Sequence, residues 1–165
     1  MTTCKAASTP FSISQKLQPS TDDLLPDPTQ YRSLVGALQY ATFTRPDITY
    51  AVNQVCQYMH KPNLAHLVAD KCILRYLQGT LSLGIRFQSG SCTLTAFTDS
   101  NWAGDTYDRC STTSITIFLG NNLITWVSKK QHTVSRSSTE AEYRALAIGA
   151  TELAWLRQVL YDLGV

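Results

Sequence analysis

The apolar residues of this chain change their spacing near residue 80 and change it back near residue 138, and that double switch limits the folds open to it. Up to Leu77 they recur three and four apart, as on one face of a helix. Tyr31, Leu34, Val35, Leu38 and Ala41 form the first stripe, with Pro28 near its start, where a missing N–H costs nothing. Thr44, Arg45, Pro46 and Asp47 break it. Ile48, Ala51, Val52, Val55 and Met59 form a second stripe, ended by Lys61 and Pro62, and residues 64–77 form a third that stops at Gly79. The period then shortens. Residues 83–87 and 94–97 are short apolar runs between Gly and Ser, and residues 114–119 alternate Ile115, Ile117 and Leu119 with largely polar neighbours. Gly120, Asn121 and Asn122 signal a hairpin, from which residues 123–127 return as the next strand. From Ser138 to Gly164 a helical rhythm resumes through Leu146, Leu153, Leu156, Leu160 and Leu163. The predicted class is α+β, with three helices, several antiparallel strands and a long helix.

At 165 residues the chain suffices for one ordinary domain or two small units. Its 44% hydrophobic and 16% charged residues argue for a packed interior and against a disordered tail. The net charge of +2 does not mark a nucleic-acid binder, so any basic surface has to be local. The 5 Cys are scattered, odd in number and lack zinc spacing. They read as reduced thiols of an intracellular protein, in the cytoplasm or nucleus, with an organelle as the alternative. No apolar run approaches a membrane span, so no membrane partner is expected. Residues 1–28 carry Pro10, Pro19, Pro26 and Pro28 among polar residues, and residues 1–21 lack the Arg that a transit peptide favours. An extended linker is expected there.

Two carboxylates stand where chemistry is often placed. Asp99 lies at the end of a predicted strand, and Glu140 in the first turn of the last helix. A strand end and a helix start can converge when the helix packs on the sheet, and two carboxylates so placed suit a hard cation such as Mg²⁺. The spacing alone favours a plainer role. Ser137 followed three residues later by Glu140 is a capping box, and Asp99 at a strand end can serve a turn. Lys129, Lys130, His132 and Arg136 form a local basic segment before the helix start, suited either to nucleic-acid phosphates or to a solvated loop. His60 and His66 lack an acidic partner at metal spacing and are expected at the surface, while Trp126 and Trp155 are expected in the core.

Longer motifs add a resemblance. FTDSNWAGD, then TTSITIFLGNNLITWVSKKQHTVSRSSTEAEYRALA, then TELAWLRQVLYDLG resemble the RNase H region of copia-type retrotransposon Pol polyproteins. Upstream, YRSLVGALQYATFTRPDITYAVNQVCQYMHKP and ILRYLQGT resemble the tract linking the reverse transcriptase to that region, and CKAASTP resembles the end of the polymerase. The likeness runs in order from Cys4 to Val165.

The resemblance implies three parts: residues 1–28 as a linker from the polymerase, residues 29–80 as a helical thumb or connection, and residues 81–165 as an incomplete RNase H-like domain. It implies a parent nuclease that hydrolyses RNA in RNA–DNA hybrids with two Mg²⁺ ions, and it puts catalytic and metal-binding roles on Asp99 and Glu140. The family's third Asp lies in a segment past Val165. Asp162 does not replace it, being about 22 positions and roughly 33 Å beyond Glu140 along a continuous helix. The 165 residues by themselves are therefore expected to be catalytically incomplete, and to self-associate through an exposed strand edge at residues 94–99. A non-catalytic nucleic-acid-binding module and a partner-dependent scaffold are the alternatives. The sequence departs from the family pattern at Asn101, where an Asp is usual, at Cys110 in place of Arg, and at Ser114 and Ile115 in place of Gly and Tyr.

Overall fold

The structure, a computed structural model, describes residues 4–12, 17–19 and 23–164. The chain divides into two compact units, Met1–Gly84 and Ile85–Val165. Four helices and a three-stranded antiparallel sheet make it an α+β protein. Among the described residues no helix is long and apolar enough to cross a membrane.

The first unit holds α1 (Thr29–Ala41), a short 3-10 turn (Pro46–Ile48), α2 (Thr49–Cys56) and α3 (Leu64–Gly79). Pro28 occupies the cap of α1 without a side-chain bond, and the Asp27 carboxylate instead accepts the Thr29 N–H at 2.9 Å. The predicted stripe is the buried face: Tyr31, Val35 and Leu38 meet Ile48, Ala51, Val52 and Val55, with Ala69 and Ile73 from α3. Arg45, in the break between stripes, grips both oxygens of Asp47 at 2.9 and 2.7 Å and the Thr80 carbonyl at 3.1 Å. Its guanidinium holds Asp47 below the usual carboxylate range, against the effect of burial and with help from the Tyr76 hydroxyl. That network ties the break to the end of α3, so the TRPD motif acts as a staple as well as a helix stop.

Residues 4–12 and 17–19 form no regular helix or strand, yet several of them pack on the helices. Leu17 joins the core and its carbonyl accepts the Tyr58 hydroxyl at 2.9 Å, while the Lys5 carbonyl accepts Arg75 at 2.8 Å. The surface placement of His66 is corrected. This residue is fully buried, stacks on Tyr58 with ring centroids 3.9 Å apart, and closes a reciprocal cap with Asn63. Its Nδ1 accepts the Asn63 N–H at 3.0 Å, so its neutral form carries the proton on Nε2. Burial lowers its pKa, with the Gln18 backbone acting the other way.

The second unit is a meander, β1 (Leu94–Asn101), β2 (Thr112–Leu119) and β3 (Asn122–Lys130), followed by α4 (Ser138–Asp162). The register pairs Asp99 with Ser114 and Ile115 with Val127, with one irregularity between Ile117 and Phe118. Gly120 turns the hairpin at φ +58°, and a Cβ there would collide with the Ser91 carbonyl oxygen. The strand predicted over residues 83–87 does not form. Leu83 and Phe87 are exposed and take no place in the sheet. The Asn122 side chain instead accepts the Gln88 N–H and donates to the Gln88 carbonyl, both at 2.8 Å, supplying locally what a neighbouring strand would.

α4 also differs from the reading of its leucines. Leu146 and Leu163 are exposed, and the buried residues are Ala141, Ala145 and Gly149, four apart. This ridge of small side chains lets the helix lie close to β1, where a Cβ at Gly149 would stand 2.5 Å from Thr98 Cγ2. Trp155 is 61% exposed, which corrects its placement in the core, and Trp126 is half-buried.

Candidate functional site

Alternation along β1 separates two faces. Ala96, Thr98 and Ser100 are its less exposed residues and lie on the side of α4, whereas Thr95, Phe97 and Asp99 are exposed on the opposite side. Phe97 meets Phe118 edge-on there, with centroids 5.9 Å apart. Asp99 thus rises from the face that α4 does not cover, with no hydrogen bond or ion pair among the described residues.

Glu140 is fully engaged. Ser137 caps α4, its hydroxyl accepting the Glu140 N–H at 3.1 Å. The Glu140 carboxylate accepts the Arg136 backbone N–H at 2.7 Å through one oxygen and Arg144 at 2.6 Å through the other. The Arg136 N–H first, with Arg144 and the charge of Arg136 in addition, holds its carboxyl below the ordinary range against the opposing effect of desolvation. The capping geometry expected from the spacing is therefore present, closed one residue earlier than a strict box. Ser137→Ala is expected to cost about 0.5–2 kcal/mol. Glu140→Gln, which keeps an acceptor for Arg136, is expected to shift the urea midpoint less. Melts of the two variants check this, and the reverse order would mean that Glu140 holds a role beyond the cap.

The chemistry of the pair suits a hard cation, since both are oxygen donors and Mg²⁺ tolerates a coordination sphere largely of water. One of the two, Glu140, already accepts one hydrogen bond on each oxygen, from Arg136 and Arg144. The described residues contain no group of three or more His, Cys, Asp or Glu able to hold a metal.

The basic segment divides. Lys130 is half-buried and its ammonium pairs with Asp105 at 2.5 Å and Asp108 at 2.7 Å. Burial opposes its charge, but the hydrogen bonds that the ammonium donates to the two carboxylates outweigh that and raise its pKa. Its charge is thus balanced inside the fold. Lys129, His132 and Arg136 are exposed. Lys129 and His132 open on a groove of about 440 Å³ between β3 and α4, floored by Ile115, Val127 and Ile148.

Two features escaped the sequence reading. The loop after β1 is held by Asp105, which accepts the Tyr107 and Asp108 N–H groups, and by Asp108, which accepts that of Cys110. The Asx-type spacing of those acids was the available signal. Gln131 is the other. It is 8% exposed, and its Nε2 lies within 3.0–3.2 Å of Ser100 Oγ, Thr113 Oγ1 and the Ala141 carbonyl, while Oε1 accepts Ser135. Nothing local marks that glutamine.

Comparison with known proteins gives the family. A retrovirus-related Pol polyprotein from transposon RE2 of Arabidopsis thaliana is 49% identical over 100% of this chain, which spans 11% of that polyprotein. An uncharacterised mitochondrial protein of the same plant is 53% identical over 94% of the chain and 65% of its own length. The Pol polyprotein from transposon TNT 1-94 of Nicotiana tabacum is 37% identical over 100% of the chain and 13% of its own length. No family model matches, and no solved structure does. The chain spans only a small part of the polyproteins that it matches along its whole length. It belongs to the family of retrovirus-related Pol polyproteins of plant transposons.

Proposed function

We propose that this chain serves a copia-type Pol polyprotein as the opening part of its RNase H-like nuclease, preceded by the helical connection of residues 29–80. The observation that carries this reading is the order of elements. Three antiparallel strands are followed by one long helix, with Asp99 on the first strand and Glu140 in the first turn of the helix. Asp99 and Glu140 are the residues to hold Mg²⁺, which when bound would activate water and stabilise the leaving oxygen in hydrolysis of the RNA strand of a hybrid. Arg136, exposed at the entry to α4, is assigned to the phosphate backbone. Lys130 adds nothing to that contact, because Asp105 and Asp108 balance it.

The 165 residues by themselves are read as holding hybrid without cutting it. Glu140 accepts Arg136 and Arg144, and Asp99 lies on the exposed face of β1. Release of labelled RNA from a hybrid, in Mg²⁺ or Mn²⁺, is expected not to exceed that of an Asp99→Asn control. Filter retention of the hybrid is expected to fall steeply with salt and to weaken in Arg136→Glu. Cleavage that disappears in Asp99→Asn would overturn the non-cutting part, and salt-insensitive or absent retention would overturn the nucleic-acid reading.

A further inference from the structure

We propose that the groove beside α4 receives an extended acidic peptide that adds a strand to β3. α4 lies over β1 and β2, where Gly149 meets Thr98 and the Ala141 carbonyl accepts Gln131. The same side of β3 stays open. There Val127 and Lys129, paired with Ile115 and Thr113, face a space of about 440 Å³ bounded by Arg144, Ala147 and Ile148. That volume takes a few inserted side chains but not a packed helix, whose cylinder is about 10–12 Å across. Among the described residues β2 is the only strand beside β3, so β3 is a sheet edge. An edge strand with a pocket beside it is how extended peptides are bound: main-chain hydrogen bonds hold the peptide, and the pocket reads alternate side chains.

Charge and lining select the partner. Lys129, Lys130, His132 and Arg144 line the groove, and no Asp or Glu does, although Asp105 and Asp108 balance Lys130. Lys129 and His132 have no hydrogen bond or ion pair among the described residues, while Arg144 keeps contact with Glu140. The floor is aliphatic, and no Phe, Tyr or Trp lines the groove to give a nucleic-acid base a stacking platform. A second copy of the chain is a poor match as well, since β1, β2 and β3 together offer one carboxylate, Asp99, and two lysines. The partner that fits is an extended segment whose groove-facing residues, two apart in its sequence, are in turn aliphatic, opposite Val127, and Asp or Glu, opposite Lys129.

Fluorescence anisotropy of a labelled short peptide with valine and glutamate in turn at every second residue and threonine between them, titrated with the whole 165-residue chain, tests this without any nucleic acid present. The expected result is saturable micromolar binding, with amide NMR shifts centred on β3 and the facing part of α4. Lys129→Glu combined with His132→Glu is expected to weaken it by about tenfold or more. Ile148→Asp, also at an exposed position, is expected to weaken it too, and circular dichroism checks that these variants stay folded. A valine–lysine peptide, or the acidic peptide N-methylated at alternate residues, is expected not to bind. Absence of saturable binding overturns the proposal, as does equal binding of the acidic and basic peptides. Displacement by an RNA–DNA hybrid whose own binding is lost in Lys129→Glu would assign the groove to nucleic acid. Chain dimerisation lost in the same variant would assign it to a second copy. Either result also overturns the proposal.

Discussion

Asp70→Asn is expected to stabilise the helical unit by about 3 kcal/mol at pH 8, and by almost nothing near pH 4. Asp70 sits on α3 with no exposed surface, and neither carboxylate oxygen has a hydrogen-bond partner among the described residues. Burial pushes its pKa from 3.8 up to about 6, and Lys71 offsets this only in part. Its neighbours register the charge. Burial chiefly, and Asp70 in addition, raise the Tyr31 hydroxyl, and the same two effects raise the Cys56 thiol against a hydrogen bond from Gln39. Because the folded state binds this proton more tightly than the unfolded one, the favourable contribution is present at low pH. It falls away as pH rises from about 4 through about 6, and above that the full cost of a buried unpaired charge remains. Hydrogen exchange of the α3 amides in both proteins, across that range, is the measurement. It should show curves that converge at low pH and separate above. A constant offset would mean that the carboxylate has a partner and is not titrating in this window.

Gln131→Leu is expected to destabilise the second unit by roughly 3–4 kcal/mol, more than the loss of any cap. The substitution is close in size but deletes an amide that serves β1, β2 and the start of α4 together. It leaves Ser100, Thr113 and Ser135, all under 9% exposed, without that partner, and each buried polar group so stranded costs about 1–3 kcal/mol before relaxation. Hydroxyl rotation recovers part of the loss, which is why the expected total falls below the simple sum. Trp102, Trp126 and Trp155 all lie in the second unit, so tryptophan fluorescence in urea follows it selectively. A cost under about 1 kcal/mol would indicate that water replaces the amide. The loop from His132 to Arg136, which connects the groove to the helix start, is expected to lose protection from exchange along with stability.

These two residues mark the boundary between what the chain's order encodes and what folding adds. Helix against strand was legible from the sequence, because apolar spacing is a local property: the stripe of Tyr31, Val35 and Leu38 is the buried face of α1. Gly120 was legible as a hairpin turn and Ser137 as a cap for the same reason, since φ > 0 and an unpaired N–H are demands met within a few residues. The family was legible through long ordered motifs. What the sequence did not contain was the identity of distant partners. Residues 83–87 have the composition of a strand but no strand to pair with, and just beyond them the Asn122 side chain takes both backbone groups of Gln88. His66 and Asp70 look like polar surface residues until Tyr58 and α1 cover them. Lys129 and Lys130 are indistinguishable in the string. Only the fold shows that the Lys130 ammonium is held by Asp105 and Asp108 while Lys129 is exposed. Asp99 and Glu140 were visible as candidates from their motifs, but whether each carboxylate is free or engaged depended on Arg144 and on which face of β1 the helix covers. Tertiary structure decided these points because burial and pairing depend on contacts between residues far apart in the chain, which periodicity does not record.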